Sequence, residues 1–295
     1  MTIVAGFSAS RHGAAPVELA AQIARTTGES IIAASVVERR LPPQADPLED
    51  EYAQHLTVQA ERALHGTVEG LPAGVGVTVD VRQARSVPDG LMALATEHSV
   101  SVVTVGSSSS SLLGRVALGG VTDRLVHAAA VPVAIAPRAY RPGPIPVRRL
   151  TVAYGGNADA NGLLPAAAGL ARAWGVRLRV VSFAARDVAA YSAMIDTAQA
   201  EKLVLRSWWE RTRAAIDAQI EAVPGPALED GVDLELGSGP DWRAAVESVE
   251  WRPGDLLLLG SGAAAPLQHV LLGSAAARIL RASPVPVMIL PRPPR

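Results

Sequence analysis

The chain of 295 residues contains no cysteine. That absence excludes disulfides, thiol nucleophiles and cysteine-ligated zinc or iron–sulfur centres, and it suits a reducing compartment. Net charge is lacking too: 27 Lys and Arg stand against 28 Asp and Glu, giving −1 at pH 7. The two signs are interspersed, whereas a nucleic-acid or anionic-membrane partner needs a basic face. No uncharged apolar run reaches the ~18 residues of a membrane span. No basic segment precedes the short apolar run of "MTIVAGFSASRHG", so a signal peptide is not expected. The expectation is a cytoplasmic protein with no nucleic-acid or membrane partner. With 49% hydrophobic residues, the length allows about two domains.

What is present is a repeat. "VVTVGSSSSSLLGRVALGGVTDRLVHAAAVPVAIAPR" (Val102 to Arg138) lies without a gap over "LLLLGSGAAAPLQHVLLGSAAARILRASPVPVMILPR" (Leu256 to Arg292). Gly106 falls on Gly260, Gly119 on Gly273 and Arg124 on Arg278, and "VPV" at 131 on "VPV" at 285. The starts also align, "IVAGFSAS" (Ile3 to Ser10) over "LTVAYGGN" (Leu150 to Asn157) and Gly28 over Gly175, which makes the second copy longer in its middle. The chain therefore reads as a tandem duplication, with residues 1–140 as the first domain, 141–148 as a linker and 149–292 as the second. The junction "RAYRPGPIPVRR" is rich in proline, which forbids helix and favours an extended connection.

Each copy alternates strand and helix. In the first, "TIVAGF" reads as a buried strand, and helical apolar spacing from Pro16 to Thr27 stops at Gly28, a good helix-ending residue. Strand "SIIAASVV", a helix around Glu51 to Glu69, strand "GVTVDVRQ", helix Pro88 to His98, strand "VSVVTVG", helix Gly119 to Ala129 and strand "VPVAIAP" follow. Such β-α alternation buries its apolar strands best as a five-stranded parallel sheet covered by helices on both faces. In the second copy a long helix from about Asp196 to Ala222 carries Trp208 and Trp209, of which at least one is expected to be buried in packing.

Ligands of open parallel sheets bind at the carboxyl ends of strands, where successive connections run to opposite faces. If the first and fourth strands are neighbours, "GFSAS" (Gly6 to Ser10) and "GSSSSS" (Gly106 to Ser111) face one crevice. Glycine lets backbone approach a phosphate, loop N–H and serine O–H groups can donate, and a helix starting near Gly119 points its positive end at the loop. Strand-to-helix turns also use glycine for backbone reasons alone, so both readings stay open at this point.

"VGSSSSSLLGRVALGG" followed by "VPVAIAP", and "LGSGAAAPLQHVLLGS" followed by "VPVMILP", resemble the universal stress protein family in a two-domain form. The resemblance covers nearly the whole chain. It implies two tandem Rossmann-like domains of the adenine nucleotide α-hydrolase-like kind, and ATP as the ligand of the binding members. It also implies that the last strands of two domains pair, here within one chain, with further association into a homodimer as an expectation. Nucleotide-binding members carry Gly, two residues, Gly, nine residues, then Gly and Ser or Thr. On that pattern the first copy gives Gly106, Ser109, Gly119 and Gly120, and the second gives Gly260, Ala263, Gly273 and Ser274. Ser107 and Ser261 follow the leading glycines as further loop hydroxyls. The aspartate that usually ends the family's first strand is replaced by Ser8 and Gly155. A Cβ at the second glycine position stands where a phosphate would lie against bare backbone, and one lost hydrogen bond to a charged group weakens binding by roughly 1.5–3 kcal/mol, about one to two decades. Ser274 makes the second copy the better nucleotide candidate.

Other constellations carry less. "GSSSS" lacks the second glycine of a nucleophile elbow. His12, His55, His65, His98, His127 and His269 are not at metal-ligand spacing, and Arg11 with His12 reads as solvated loop. "DPLEDE" (Asp46 to Glu51) caps the helix after it, and "VPVAIAP" and "VPVMILP", short and opening on Val-Pro, read as edge strands. The function expected is a non-catalytic stress-response module with altered nucleotide pockets. The alternatives are a pure interaction module that has lost nucleotide, and a weak nucleotide hydrolase.

Overall fold

A computed structural model of the chain describes residues 1–10, 13–39, 47–108, 112–155, 162–185, 197–223, 231–260 and 273–291. The first copy runs β1 (Thr2–Phe7), α1 (Ala15–Thr27), β2 (Ser30–Glu38), α2 (Pro47–Glu69), β3 (Val77–Ala84), α3 (Val87–Glu97), β4 (Val100–Gly106), α4 (Gly120–Ala128) and β5 (Val133–Ala136). The second repeats it as β6 (Arg149–Tyr154), α5 (Leu163–Trp174), β7 (Arg177–Ala185), α6 (Thr197–Glu221), β8 (Val232–Gly239), α7 (Trp242–Glu247), β9 (Asp255–Gly260), α8 (Ser274–Ala282) and β10 (Val287–Leu290).

Local chemistry sets the helix ends. α1 takes Pro16 into its first turn, where a missing N–H is harmless, carries Glu18 near its start and Arg25 near its end, and stops at Gly28 with φ 74°. Ser86 caps α3 by accepting the Asp89 N–H, and Asp241 caps α7 by accepting the Ala244 N–H at 2.7 Å. α2 begins at Pro47 rather than near Glu51, so Glu49 and Asp50 lie inside its first turn, against the positive end of the helix.

All ten strands form one sheet in the order β3-β2-β1-β4-β5-β10-β9-β6-β7-β8. Each half is parallel, and the halves meet where β5 and β10 run antiparallel, with Val287 opposite Ile135, Met288 opposite Ala134 and Ile289 opposite Val133. The period of two in the strands divides the core into two layers. Ile3, Val102, Ala134 and Met288 face the layer under α1 and α5, and Val4, Val103, Ile135 and Val287 face the layer under α3, α4, α7 and α8. Both layers cross the seam without a break.

Two expectations need correction. β5 and β10 are the two central strands of the sheet, not its edges. Pro132 and Pro286 lie just outside the ladders, where their carbonyls accept the N–H groups of Val103 and Leu257, each at 3.0 Å, and no proline N–H is needed. The edges are β3 and β8, which carry Asp80 and Arg82, and Asp233 and Glu235; charge on an edge discourages pairing with another sheet. Neither Trp208 nor Trp209 is buried; both are half-exposed on α6. Adjacent helical residues point about 100° apart, so two in a row straddle the packed face instead of entering it. The junction, free of helix, packs along the first copy. Tyr140 donates its hydroxyl to Gln22 Oε1 at 2.7 Å, Arg25 donates to the Gly143 carbonyl at 3.1 Å, and the Val147 N–H reaches Thr26 Oγ1 at 2.8 Å. Three residues of α1 thus strap the connection to the first copy.

Candidate functional site

β1 pairs with β4, and β6 with β9, so each copy has its crevice at the carboxyl ends of two neighbouring strands whose connections leave to opposite faces. In the first copy this brings Ser8, at the end of β1, beside Gly106, at the end of β4. Ser8 is exposed, and its hydroxyl lies 2.8 Å from that of Ser10. Gly155 stands exposed at the matching place after β6. Arg11, His12, Ser109, Ser261 and Ala263 lie outside the described residues.

The ends of the first-copy loop are stitched together. The Ser107 hydroxyl donates to the Ala117 carbonyl at 3.2 Å and accepts the Ala117 N–H at 2.6 Å, and the Ser108 N–H donates to the same carbonyl at 2.9 Å. The Ser107 N–H continues the sheet ladder to Ala136 at 3.0 Å. Gly119 is thereby seated against Ser108, 3.5 Å from the Ser108 Cβ to the position of a Cβ built on Gly119. The Ser107 hydroxyl is thus engaged with the backbone of Ala117.

Two residues outside the sequence pattern support the crevice. Thr122, buried in α4, donates to the Gly106 carbonyl at 3.0 Å, and Thr104, buried in β4, donates to the Pro16 carbonyl at 2.9 Å, tying the start of α1 beneath the loop. The signal for Thr104 was there, a lone hydroxyl in the aliphatic run "VVTVG". The second copy has Leu258 and Ala276 at these two places, and the side chain under Gly260 is Leu163 where the first copy has Pro16 under Gly106.

The glycines separate the two readings left open above. Gly119 precedes α4 with φ −99°, and Gly273 precedes α8 with φ −58°, conformations open to any residue. Among the described residues, a Cβ on Gly273 would meet nothing within 4 Å, and the same holds for Gly120. Gly106 and Gly260 are likewise outside the positive-φ region, with ordinary contact to Pro16 at 3.5 Å in the first and a tighter 3.2 Å to Leu163 in the second. Backbone strain therefore does not call for glycine at these positions, whereas Gly114, inside the first-copy loop, does adopt the left-handed region at φ 72°. What remains specific to glycine is bare backbone facing outward before a helix whose first N–H groups have no partner within the helix. Gly120 and Ser274 are the first residues of α4 and α8, and both are exposed.

No group of three or more His, Asp or Glu side chains able to hold a metal ion occurs among the described residues. No described helix is long and apolar enough to cross a membrane.

Residues 1–137 and 146–291 each match the sequence profile of the universal stress protein family. The chain is 32% identical over 295 residues to a universal stress protein of Mycobacterium tuberculosis (strain ATCC 25618 / H37Rv), covering 99% of this chain and all of that protein. In fold it is similar to the crystal structure of a universal stress protein from Archaeoglobus fulgidus DSM 4304, with a TM-score of 0.61, 17% identity and coverage of 99% and 96% of the two chains. A protein of Pseudomonas aeruginosa PAO1 gives a TM-score of 0.57 at 15% identity, covering 99% of this chain and 92% of the other.

Proposed function

The chain belongs to the universal stress protein family, and on that premise we propose that it is a non-catalytic stress-response module whose second copy binds an adenine nucleotide. One observation carries the reading: Gly273 has ordinary dihedrals and open space where a side chain would stand, directly before the exposed Ser274 at the start of α8. Phosphate oxygens of ATP would lie against the backbone of Gly260 and Gly273, with the Ser274 hydroxyl and the first N–H groups of α8 donating to them. Gly155 offers no carboxylate to hold the sugar, so the affinity expected is weak.

The first copy supports a different use of the same loop. Its Ser107 hydroxyl is engaged by Ala117, its α4 starts at Gly120 without a hydroxyl, and Leu112 and Leu113 are 69% and 66% exposed. That combination suits contact with another protein better than a phosphate cradle. The working picture is one nucleotide pocket and one interaction loop, in a cytoplasmic protein.

The test begins with protein purified from its host and denatured, whose supernatant is examined for adenine nucleotide. ATP is then titrated by calorimetry with and without Mg²⁺. Binding that is lost in Gly273→Val and reduced about tenfold or more in Ser274→Ala supports the proposal. No heat at millimolar ATP overturns it and leaves the interaction module. Steady phosphate release in proportion to protein would instead establish a hydrolase.

A further inference from the structure

A cleft open to solvent lies between the two copies, beside the strand-to-helix loop of the first. It measures about 470 Å³, in the range of small-molecule sites, and is bounded by the Leu112–Ala117 segment of the first copy, the start of α7 and the outer face of α8. Four arginines line it, Arg115, Arg243, Arg278 and Arg281, together with the half-exposed Trp242.

Its walls are held in place. Arg115 crosses from the first copy to donate to the Ala282 carbonyl at the end of α8 at 2.5 Å and to the Glu247 carboxylate at the end of α7. Arg243 shares Glu247 at 3.1 Å. The Leu112–Ala117 segment is pinned to the start of the junction by bonds between Gly114 and Arg138 and between Arg138 and Arg115, at 3.0 and 3.2 Å. Asp241, the one acidic residue in the lining, is turned to the Ala244 N–H as the α7 cap. Arg278 and Arg281, one turn apart on α8, have no carboxylate partner among the described residues.

The duplication supplies an internal comparison. Ser86 caps α3 as Asp241 caps α7, and Val87 follows it where Trp242 follows Asp241. His127 of α4 falls on Arg281 of α8 in the gapless alignment of the copies. Val87 and Trp242 both pack against the same core layer, and the fold accepts the smaller side chain there, as it accepts histidine at the place of Arg281.

We propose that this inter-copy cleft binds a small ligand that joins an aromatic ring to a phosphate group, the phosphate held by Arg278 and Arg281 and the ring laid against Trp242. A guanidinium fork matches phosphate oxygens two at a time, and two such forks on one helix face match a dianion. The apolar portions of the Leu112–Ala117 segment and the Trp242 ring favour a flat, partly apolar body over a bare ion. Its lining residues are other than Gly260, Gly273 and Ser274, so the proposal does not rest on nucleotide binding there.

The experiment uses the full chain at low ionic strength, because exposed arginines are screened by salt. Phenyl phosphate, inorganic phosphate and phenol are titrated separately by calorimetry. Expected are saturable binding of phenyl phosphate at one site per chain, at least tenfold tighter than inorganic phosphate, and no saturation with phenol. The double variant Arg278→Gln/Arg281→Gln should weaken phenyl phosphate about tenfold or more with an unchanged circular dichroism spectrum. Trp242→Phe should narrow the advantage over inorganic phosphate, and Gly273→Val should leave phenyl phosphate binding intact. Absence of saturation at millimolar phenyl phosphate, indifference to the double arginine change, or equal affinity for inorganic phosphate would each overturn the proposal.

Discussion

Replacing Asp255 by asparagine should bring the second copy close to unfolding. Asp255 is the first residue of β9, and its side chain is 2% exposed. It accepts two hydrogen bonds from Arg149, at 2.9 and 2.6 Å, and a third from the Arg252 N–H at 2.8 Å. Arg179 Nη2 lies 3.9 Å away, on a side chain also 2% exposed, and its other bonds go to Thr151, Glu235 and the Glu250 carbonyl beneath the ring of Trp251. Burial and then the like charge of Arg149 hold the Arg179 pKa below the usual arginine range. Asparagine keeps the shape and removes the charge that both guanidiniums face. Breaking a buried ion pair from one side costs about 3–5 kcal/mol, against roughly 5–15 kcal/mol for the stability of a typical domain. The assay is urea unfolding followed by tryptophan fluorescence, with Trp251 beside the altered group. The double change Arg149→Met/Asp255→Leu should recover most of the loss, since an apolar pair leaves no buried charge unpaired. A loss below about 1 kcal/mol in the single variant, or a double variant as unstable as the single, would refute this reasoning.

Tyr140→Phe should lower stability by roughly 1–2 kcal/mol in thermal unfolding, because it leaves the buried Gln22 carbonyl oxygen without its donor; burial also keeps this phenol protonated well above the usual tyrosine range. Glu18 is raised above the ordinary carboxylate value by burial, opposed by Arg141 and Arg25. The folded chain therefore holds that proton more tightly than the unfolded chain, and stability falls as pH rises from the ordinary carboxylate value through the raised one. Glu18→Gln should remove this slope and raise the melting temperature at pH 7, as differential scanning fluorimetry across pH 4–8 would read. Ile135→Asp places an unpaired carboxylate opposite Val287 at the seam, and should cost about 4 kcal/mol or more, seen as rapid tryptic cleavage at Arg138 and Arg148.

Much of this was legible from residues. β1 and β4 carry the bounds that their short apolar runs between polar turns suggest, and Gly28 ends α1 with the left-handed backbone that marks a helix stop. The place of the crevice rests on the condition that the first and fourth strands are neighbours, which the β1–β4 ladder meets. Other features are set by long-range geometry. A proline beside a strand serves an edge or the mouth of an interior ladder equally well, and only the partner strand decides which, as at Pro132 and Pro286. Whether a serine donates to a ligand or to its own loop depends on where Ala117 returns, a matter of tertiary closure that "GSSSSS" does not encode. The cleft between α7, α8 and the Leu112–Ala117 segment escaped notice because its arginines come from both copies, far apart in sequence and unremarkable one at a time.

The antiparallel seam also bears on how the chain is made. β5 is complete when the first copy leaves the ribosome, but β10, its partner, follows roughly 150 residues later. At ~5–20 residues per second, the first copy therefore waits about 8–30 s with an aliphatic strand, Val133–Ala136, unpaired along one side. Neighbouring nascent chains on one message present the same open strand in the same interval. Every intramolecular closure is thus a race against pairing with a sister chain, and the strapping of the junction to α1 through Tyr140, Arg25 and Thr26 aims the second copy at its own first copy before that race is lost.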